Sequence, residues 1–175
     1  MDFDTEKICL NQIISQKKES FSAEDNIIIP DIKPDILSTV DSCGNIYIYK
    51  KEIVNGKLRI DGGVQAYIMY LADNEQNNIR GLHTVIDFSQ SIEIENLSQE
   101  MDFDCKLKVK NIECKILNGR KINVKANMDV EVKIYSNKEK EFVKSINNME
   151  KIQMISNSIK INSLKGRGET IATAK

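Results

Sequence analysis

The 175-residue sequence has no tryptophan and only one histidine, His83. Its five phenylalanines and five tyrosines are scattered, so no cluster of rings predicts a stacking platform for single-stranded bases. The 25 basic and 26 acidic side chains almost cancel, and no run of lysine or arginine forms a basic patch. Because phosphate binding depends on clustered positive charge, these shortages argue against nucleic acid as a partner.

Close cysteine pairs and long apolar runs are also missing. The four cysteines, Cys9, Cys43, Cys105 and Cys114, contain no Cys-x-x-Cys pair, whereas zinc needs clustered sulfur and nitrogen ligands. The acidic start, "MDFDTEKICL", is neither an export signal nor an anchor. No window approaches about 18 consecutive apolar residues, so we expect no membrane insertion. Because the sequence has no Cys-x-x-Cys pair and no export signal, we expect the four cysteines to be reduced and mostly buried as small apolar residues.

Catalytic signatures are scarce as well. His83 lies in a strand-like stretch without a serine or cysteine motif around it, and neither Gly-x-x-x-x-Gly-Lys nor Gly-x-Gly-x-x-Gly occurs. Many carboxylates are present, but nothing selects a pair that faces across a cleft, as glycoside hydrolysis requires. The sequence predicts a protein without enzymatic activity and without a cofactor.

What the sequence does contain is alternation with a period of two, the pattern of a strand with one buried face. One run follows Asn55-Gly56 and consists of Leu58, Ile60, Val64, Ala66, Ile68 and Tyr70. Another follows Asn118-Gly119 and consists of Ile122, Val124, Ala126, Met128, Val130, Val132 and Ile134. A β-rich stretch precedes each run, and Asn-Gly favours a tight turn with positive φ at both residues. The sequence predicts two long hairpins with these tips.

The predicted fold is mainly β, either an antiparallel sandwich or an open barrel built on the two Asn-Gly hairpins. Between the hairpins we expect a strand, a break near Ser89 to Ser91, and a second short strand. One or two short helices are expected. Residues 34–41 are the better candidate, because proline suits the first helical position and an acid favours the positive helix end. Residues 148–158 are the second candidate, because Asn147 and Glu150 have capping-box spacing, although the usual serine or threonine cap is absent and the stretch also fits a strand.

Two proline–acid pairs interrupt the strand pattern in "NIIIPDIKPDILSTVD". Pro30 cannot donate a ladder hydrogen bond and stops the strand, and Pro34 fixes φ for the turn that follows. Asp31 and Asp35 can then accept hydrogen bonds from exposed amides. A calcium site would need about six oxygens, and only Asp25 lies near these two acids in sequence. We interpret the pairs as a structural corner without a metal.

The end of the chain resembles its beginning. Residues 161–175 align with residues 10–24 without a gap, and Leu10 lies opposite Ile161, Ile13 opposite Leu164 and Ala23 opposite Ala174. Two amphipathic strands can match in this way by chance, but the pattern also fits a tandem repeat. We expect a domain over residues 1–147, followed at 148–175 by a connector and the first strand of a following copy.

The stretch "IIIPDIKPDILSTVDSCGNIYIYKKEIVNGKLRIDGGVQAYIMY" (residues 27–70) closely resembles the SPOCS domain of clostridial spore-coat proteins. The later "TVIDFSQSIEI" and "RKINVKANMDVEVKIY" fit the same family, so the resemblance covers roughly residues 8–135. It implies a scaffold of a spore-coat morphogenetic protein that helps to anchor the coat on the forespore surface, in the cytoplasm of the mother cell.

The resemblance also implies partners. These are other coat proteins, self-association, and the stage IV sporulation protein A, an ATPase that polymerises on the forespore. In the family that contact is attributed mainly to a C-terminal LysM module, which this sequence lacks.

A carbohydrate-binding β-module, for example one that binds cortex peptidoglycan, is the alternative function. Such modules stack aromatic rings on sugars, and the candidate rings are Tyr47, Tyr49, Tyr67 and Tyr70. Their strand positions favour cross-strand packing in the core instead.

Overall fold

The computed structural model describes residues 2–74 and 78–147 and the single positions 155, 157, 158, 160 and 168. Within this part of the chain all regular structure is β: β1 (Asp2–Ile28), β2 (Ile36–Val54), β3 (Lys57–Ala72), β4 (Ile79–Glu93), β5 (Asp102–Asn118) and β6 (Lys121–Asn147). Apart from those single positions, the second helix candidate and the repeat-like residues 161–175 lie outside the described residues. Both therefore stay predictions.

The six strands form two antiparallel three-stranded sheets, with the orders β1-β6-β5 and β2-β3-β4. The chain divides into two compact units. Unit 1 contains Met1–Ile14 and Tyr135–Lys175, and unit 2 contains Ser15–Ile134. In the described part of unit 1, β1 and β6 pair as a ribbon, with Thr5 Oγ1 donating to Glu141 Oε1 at 2.8 Å.

Unit 2 holds the hydrophobic core, which both sheets share. Every residue of the two alternating runs that the sequence assigned to buried faces is buried, in β3 as in β6. The rings of Phe21 and Phe88, one from each sheet, lie 5.4 Å apart between centroids. From β2, Ser42 Oγ donates to the carbonyl of Ile112 in β5 at 2.8 Å. The all-β class is therefore confirmed.

The turn between β2 and β3 consists of two residues. Val54 pairs with Lys57, and the intervening Asn55 and Gly56 have φ of 50° and 74°. Left-handed φ at both central positions matches the right-handed twist of the flanking strands. This turn sets the register of a hairpin that pairs continuously back to Ile36 and Ala72, apart from three shifts.

The turn between β5 and β6 differs from the prediction. β5 ends at Asn118 and β6 begins at Lys121, so Gly119 and Arg120 form the turn. Gly119 does not have a positive φ, and the expectation of positive φ at Asn118 and Gly119 is wrong. Asn118 Oδ1 accepts a hydrogen bond from the amide of Arg120 at 2.9 Å. The carbonyls of Gly119 and Arg120 are engaged elsewhere in unit 2, so tertiary contacts shape this turn.

The predicted helix over residues 34–41 is also wrong, because β2 begins at Ile36. The pairing of β2 with β3 shifts by one residue at three places, which leaves Leu37, Val40 and Tyr49 as extra residues. Such bulges break the period of two. The apolar spacing at 36, 37 and 40 therefore imitates a helical stripe, although Ile36 is buried while Leu37 and Val40 are exposed.

Two smaller expectations also fail. β4 continues from Ile79 to Glu93 without the predicted break at Ser89 to Ser91, because Ser89 and Ser91 pair in register with β3. The cysteines are not mostly buried: Cys9 and Cys43 are exposed and the other two are half-buried.

Candidate functional site

The Pro-Asp corner joins β1 to β2 in unit 2. The amide of Lys33 donates to the carbonyl of Pro30 at 2.9 Å and closes a tight turn. The carbonyl of Pro34 accepts from the hydroxyl of Tyr70 at 3.2 Å. The two prolines therefore lie between the end of β1 and the start of β2, whereas the sequence predicted that Pro34 leads into a helix.

A single arginine holds this corner. Arg120 Nη1 donates to the carbonyl of Lys33 at 2.7 Å and to Asp35 Oδ1 at 3.0 Å. Its Nη2 donates to the carbonyl of Ile29 and to Asp31 Oδ1, both at 2.9 Å. The hydrogen bond to Asp35 is the main reason that the pKa of the guanidinium is raised, and Asp31 adds to it. We call this set of contacts the Arg120 clamp.

Backbone bonds reinforce the clamp. The amide of Ile36 donates to the carbonyl of Gly119 at 2.8 Å, and the amide of Ile29 donates to the carbonyl of Arg120 at 2.9 Å. A β-carbon at Gly119 would lie only 2.8 Å from Asp35 Oδ2, so a larger residue there would displace the Asp35 carboxylate from its position beside Arg120. The corner and the second turn are thus one structural unit.

Sequence reasoning missed Arg120. It assigned the two acids to exposed amides, whereas the structure pairs them with a guanidinium from a distant turn. The available signal was an arginine directly after the second Asn-Gly tip. Among the described residues, no group of three or more histidine, cysteine or carboxylate side chains converges in the manner of a metal site.

A second candidate site is the outer face of the β2-β3-β4 sheet. Five paired rows cross the sheet there: Tyr47–Gly63–Asp87, Asn45–Gln65–Val85, Cys43–Tyr67–His83, Asp41–Met69–Gly81 and Ser38–Leu71–Ile79. We call these rows, together with the bulge residue Tyr49, the aromatic face. The exposed fractions of Tyr47, Tyr49 and Tyr67 are 47%, 60% and 40%. The expected core packing therefore holds only for Tyr70, which is buried.

Tyr49 has a defined position on this face. An added β-carbon at Gly63 would meet the Tyr49 hydroxyl, so this hydroxyl lies directly over Gly63. The hydroxyl donates to Asp87 Oδ1 at 3.3 Å. Desolvation against the sheet raises the pKa of the Tyr49 phenol, and the negative charge and hydrogen bond of Asp87 raise it further.

The other end of the aromatic face forms a shallow groove. It has a volume of about 350 Å³, and its lining includes Asp41, Cys43, Tyr67, Met69 and His83. Its volume lies at the low end of the range for small-molecule sites, but the groove is open to solvent along the sheet.

Charged pairs occupy the sheet beyond the aromatic face, toward Asn55-Gly56. Lys57 pairs with Glu93, and Arg59 Nε lies 3.0 Å from Asp61 Oδ1. The bond from Lys57 lowers the pKa of Glu93. The pKa of Asp61 is lowered by hydrogen bonds from Ser89, first, and then from Arg59. The sheet surface therefore changes along its length from paired charges to largely uncharged rows.

The fold and its surfaces define an all-β domain of long antiparallel strands with one aromatic sheet face. Residues 35–117 match the family model described as "SipL, SPOCS domain". This segment thus resembles the SPOCS domain of SipL, as its motifs indicated, and the match relates the chain to sporulation and the spore coat. The matched segment contains the whole aromatic face. The search of curated proteins found no match, and neither did the search of solved structures.

None of the described residues belong to a helix with the length and apolarity of a bilayer crossing.

Proposed function

We propose that the chain is a non-enzymatic interaction module of a spore-coat morphogenetic protein, which helps to assemble and anchor the coat on the forespore surface. The observation that carries the proposal is the match of residues 35–117 to the SPOCS-domain family. The pKa values of Asp61 and Glu93 are lowered by ion pairs and hydrogen bonds within the sheet. These shifts are explained by structural contacts, which fits a module without a catalytic role.

The β1–β6 ribbon of unit 1 is the surface that we assign to protein partners. β6 has 27 residues and β5 has 17, so among the described residues the last part of β6 pairs with β1 alone. A two-stranded ribbon is marginally stable in isolation. Its outer edges can add a strand from another chain. Exposed apolar side chains, among them Phe3, Phe142 and Val143, would be covered in such a complex.

The partners follow from the family. We propose other coat proteins, a second copy of this chain, and the stage IV sporulation protein A ATPase when the module is part of a full-length protein. In that context the module would supplement the contact attributed to a LysM module. We place it in the mother-cell cytoplasm, at the forespore surface and in the coat.

The test compares two valines that are exposed to nearly the same extent, one in the ribbon and one on the aromatic face. Val143 in the ribbon is 50% exposed and Val85 on the aromatic face is 48% exposed. We expect Val143→Ser, combined with Phe3→Ser, to weaken self-association in light scattering and capture of the purified ATPase in biolayer interferometry. Val85→Ser should leave both unchanged. If the ribbon variant binds as the unchanged chain does, or if the unchanged chain neither self-associates nor captures the ATPase, the assignment is wrong.

A further inference from the structure

We propose that the aromatic face binds an uncharged, linear polysaccharide built from hexose or N-acetylhexosamine units, which lies along the strands. This inference goes beyond the proposed role in protein assembly and uses a different surface. It is carried by the shape of the face, the placement of its tyrosines and the distribution of charge around them.

The shape of the face suits a chain-like ligand. From the Gly63 row to the Leu71 row the strip is about 27 Å long, at about 3.4 Å per residue, and three strands make it roughly 10–15 Å wide. Its projected area is then about 300–400 Å², well below the roughly 800 Å² that each partner buries in a standard protein interface. A narrow strip of this kind is too small for a stable folded partner and long enough for several linked sugar rings.

The tyrosines suit sugar binding. An exposed aromatic ring packs its flat apolar face against the C–H face of a sugar while its hydroxyl remains hydrogen-bonded. The hydroxyl of Tyr49 is already fixed, because it lies over Gly63 and donates a hydrogen bond to Asp87. Tyr67 lies four residues further along β3 than Gly63, about 14 Å away, so the two rings can contact different units of one chain.

Polar groups are interleaved with the rings. Asn45 and Gln65 are directly paired across the two strands between the Tyr47 and Tyr67 rows. Their amides both donate and accept hydrogen bonds, and Asp87 accepts them. Sugar hydroxyls and N-acetyl groups offer both donors and acceptors, so they match this mixture better than a purely apolar peptide segment would.

The charges favour an uncharged ligand. The five rows of the aromatic face contain two acids, Asp41 and Asp87, and no lysine or arginine. An anionic polymer would be repelled by these carboxylates and would find no cation among the paired residues; Lys33, from the corner, reaches only one end of the face, where its Nζ donates to the carbonyl of Gly81 at 2.6 Å. On the other sheet, β5 instead carries the exposed lysines Lys106, Lys108 and Lys110, as expected of a solvated surface.

The test is isothermal titration calorimetry of the whole chain with three probes: chitohexaose, cellohexaose and a galacturonic acid hexamer. We expect binding of at least one uncharged hexamer and no binding of the anionic one. Tyr49→Ala and Tyr67→Ala should each weaken binding at least tenfold. Leu117→Ala is the matched control, because Leu117 is 46% exposed but lies in β5 of the other sheet, and it should bind as the unchanged chain does.

A third variant keeps every aromatic side chain. Gly63→Ala places a β-carbon where the Tyr49 hydroxyl now lies, and we expect it to weaken binding without loss of the thermal transition. Absence of binding to both uncharged hexamers at millimolar concentration would overturn the proposal, as would equal binding by the tyrosine variants. Loss of ATPase capture in the tyrosine variants but not in the ribbon variant would show instead a protein docking surface. The assembly role would then stand without the glycan.

Discussion

Arg120 and Asp35 meet at 3.0 Å, although 85 positions separate them in the sequence. Their contact joins the turn between β5 and β6 to the corner between β1 and β2. Two backbone carbonyls of the corner also accept hydrogen bonds from the Arg120 guanidinium. The planar guanidinium, with its fixed fork of N–H donors, therefore fits these acceptors in shape as well as in charge.

The first prediction concerns this fork. Arg120→Lys keeps the positive charge but cannot make four directed bonds, so we expect a lower melting temperature than in the unchanged chain, and Arg120→Ala should be lower still. Arg59→Lys is the control, because Arg59 pairs with Asp61, only two residues away on the same strand. It should change the melting temperature little. Differential scanning calorimetry measures all three, and a lysine variant as stable as the unchanged chain would show that charge alone suffices.

A second prediction compares two glycines of the β2-β3-β4 sheet. A β-carbon at Gly62 would lie 2.5 Å from the carbonyl oxygen of Tyr47 and 2.7 Å from the ring of Phe88, whereas one at Gly81 would meet nothing within 4 Å. Gly62→Ala should therefore reduce the free energy of unfolding by about 1–3 kcal/mol. Gly81→Ala should stay within about 0.5 kcal/mol. Urea denaturation measures both, and equal effects would contradict the close packing at Gly62.

A third prediction uses the phenol of Tyr49. Removing the negative charge of Asp87 makes the phenolate less unfavourable, so Asp87→Asn should lower the pKa of Tyr49 toward its ordinary value. Ultraviolet titration of the tyrosines, compared with the same titration in a Tyr49→Phe background, isolates this group. Asp41→Asn is the control, because Asp41 is not among the groups that raise this pKa. An unchanged Tyr49 titration in Asp87→Asn would contradict the observed geometry.

The fourth prediction concerns acid stability. Lys57 lowers the pKa of Glu93 below its ordinary 4.5, so this pair stabilises the fold above that value and its contribution is lost as the pH falls through the lower, folded pKa. Lys57→Gln removes the contribution. Urea denaturation should show the variant less stable at about pH 6 and equal to the unchanged chain once the pH is low enough to protonate Glu93. A high salt concentration should reduce this difference in stability, because it screens the ion pair. A difference independent of pH would mean that the ion pair is not its cause.

The buried runs of β3 and β6 could be predicted from the sequence, because one face of each strand contacts the core and the other meets solvent. The Arg120 clamp could not be predicted in the same way. Its members lie at 29–36 and 119–120, and nothing local in either segment indicates the other. The misplaced helix has a different cause, since the irregular pairing of β2 breaks the alternation on which the prediction depended.

The exposed tyrosines show a further limit. Tyr47, Tyr67 and Tyr70 all fit a strand pattern, and composition alone does not say which side of the sheet each one occupies. Once β3 is aligned by its buried residues, parity places Tyr70 inside and Tyr67 outside. Tyr49 escapes even this argument, because it is the extra residue of a bulge.

The three bulges of β2 also determine where the length of this chain can change. At Leu37 and Val40 the strand has one residue more than its partner, so deleting either would leave the flanking pairs with β3 as they are. The same deletion within β3 would move every later side chain to the opposite face. Related sequences that differ by one residue in this region should therefore place their gaps at positions 37, 40 or 49.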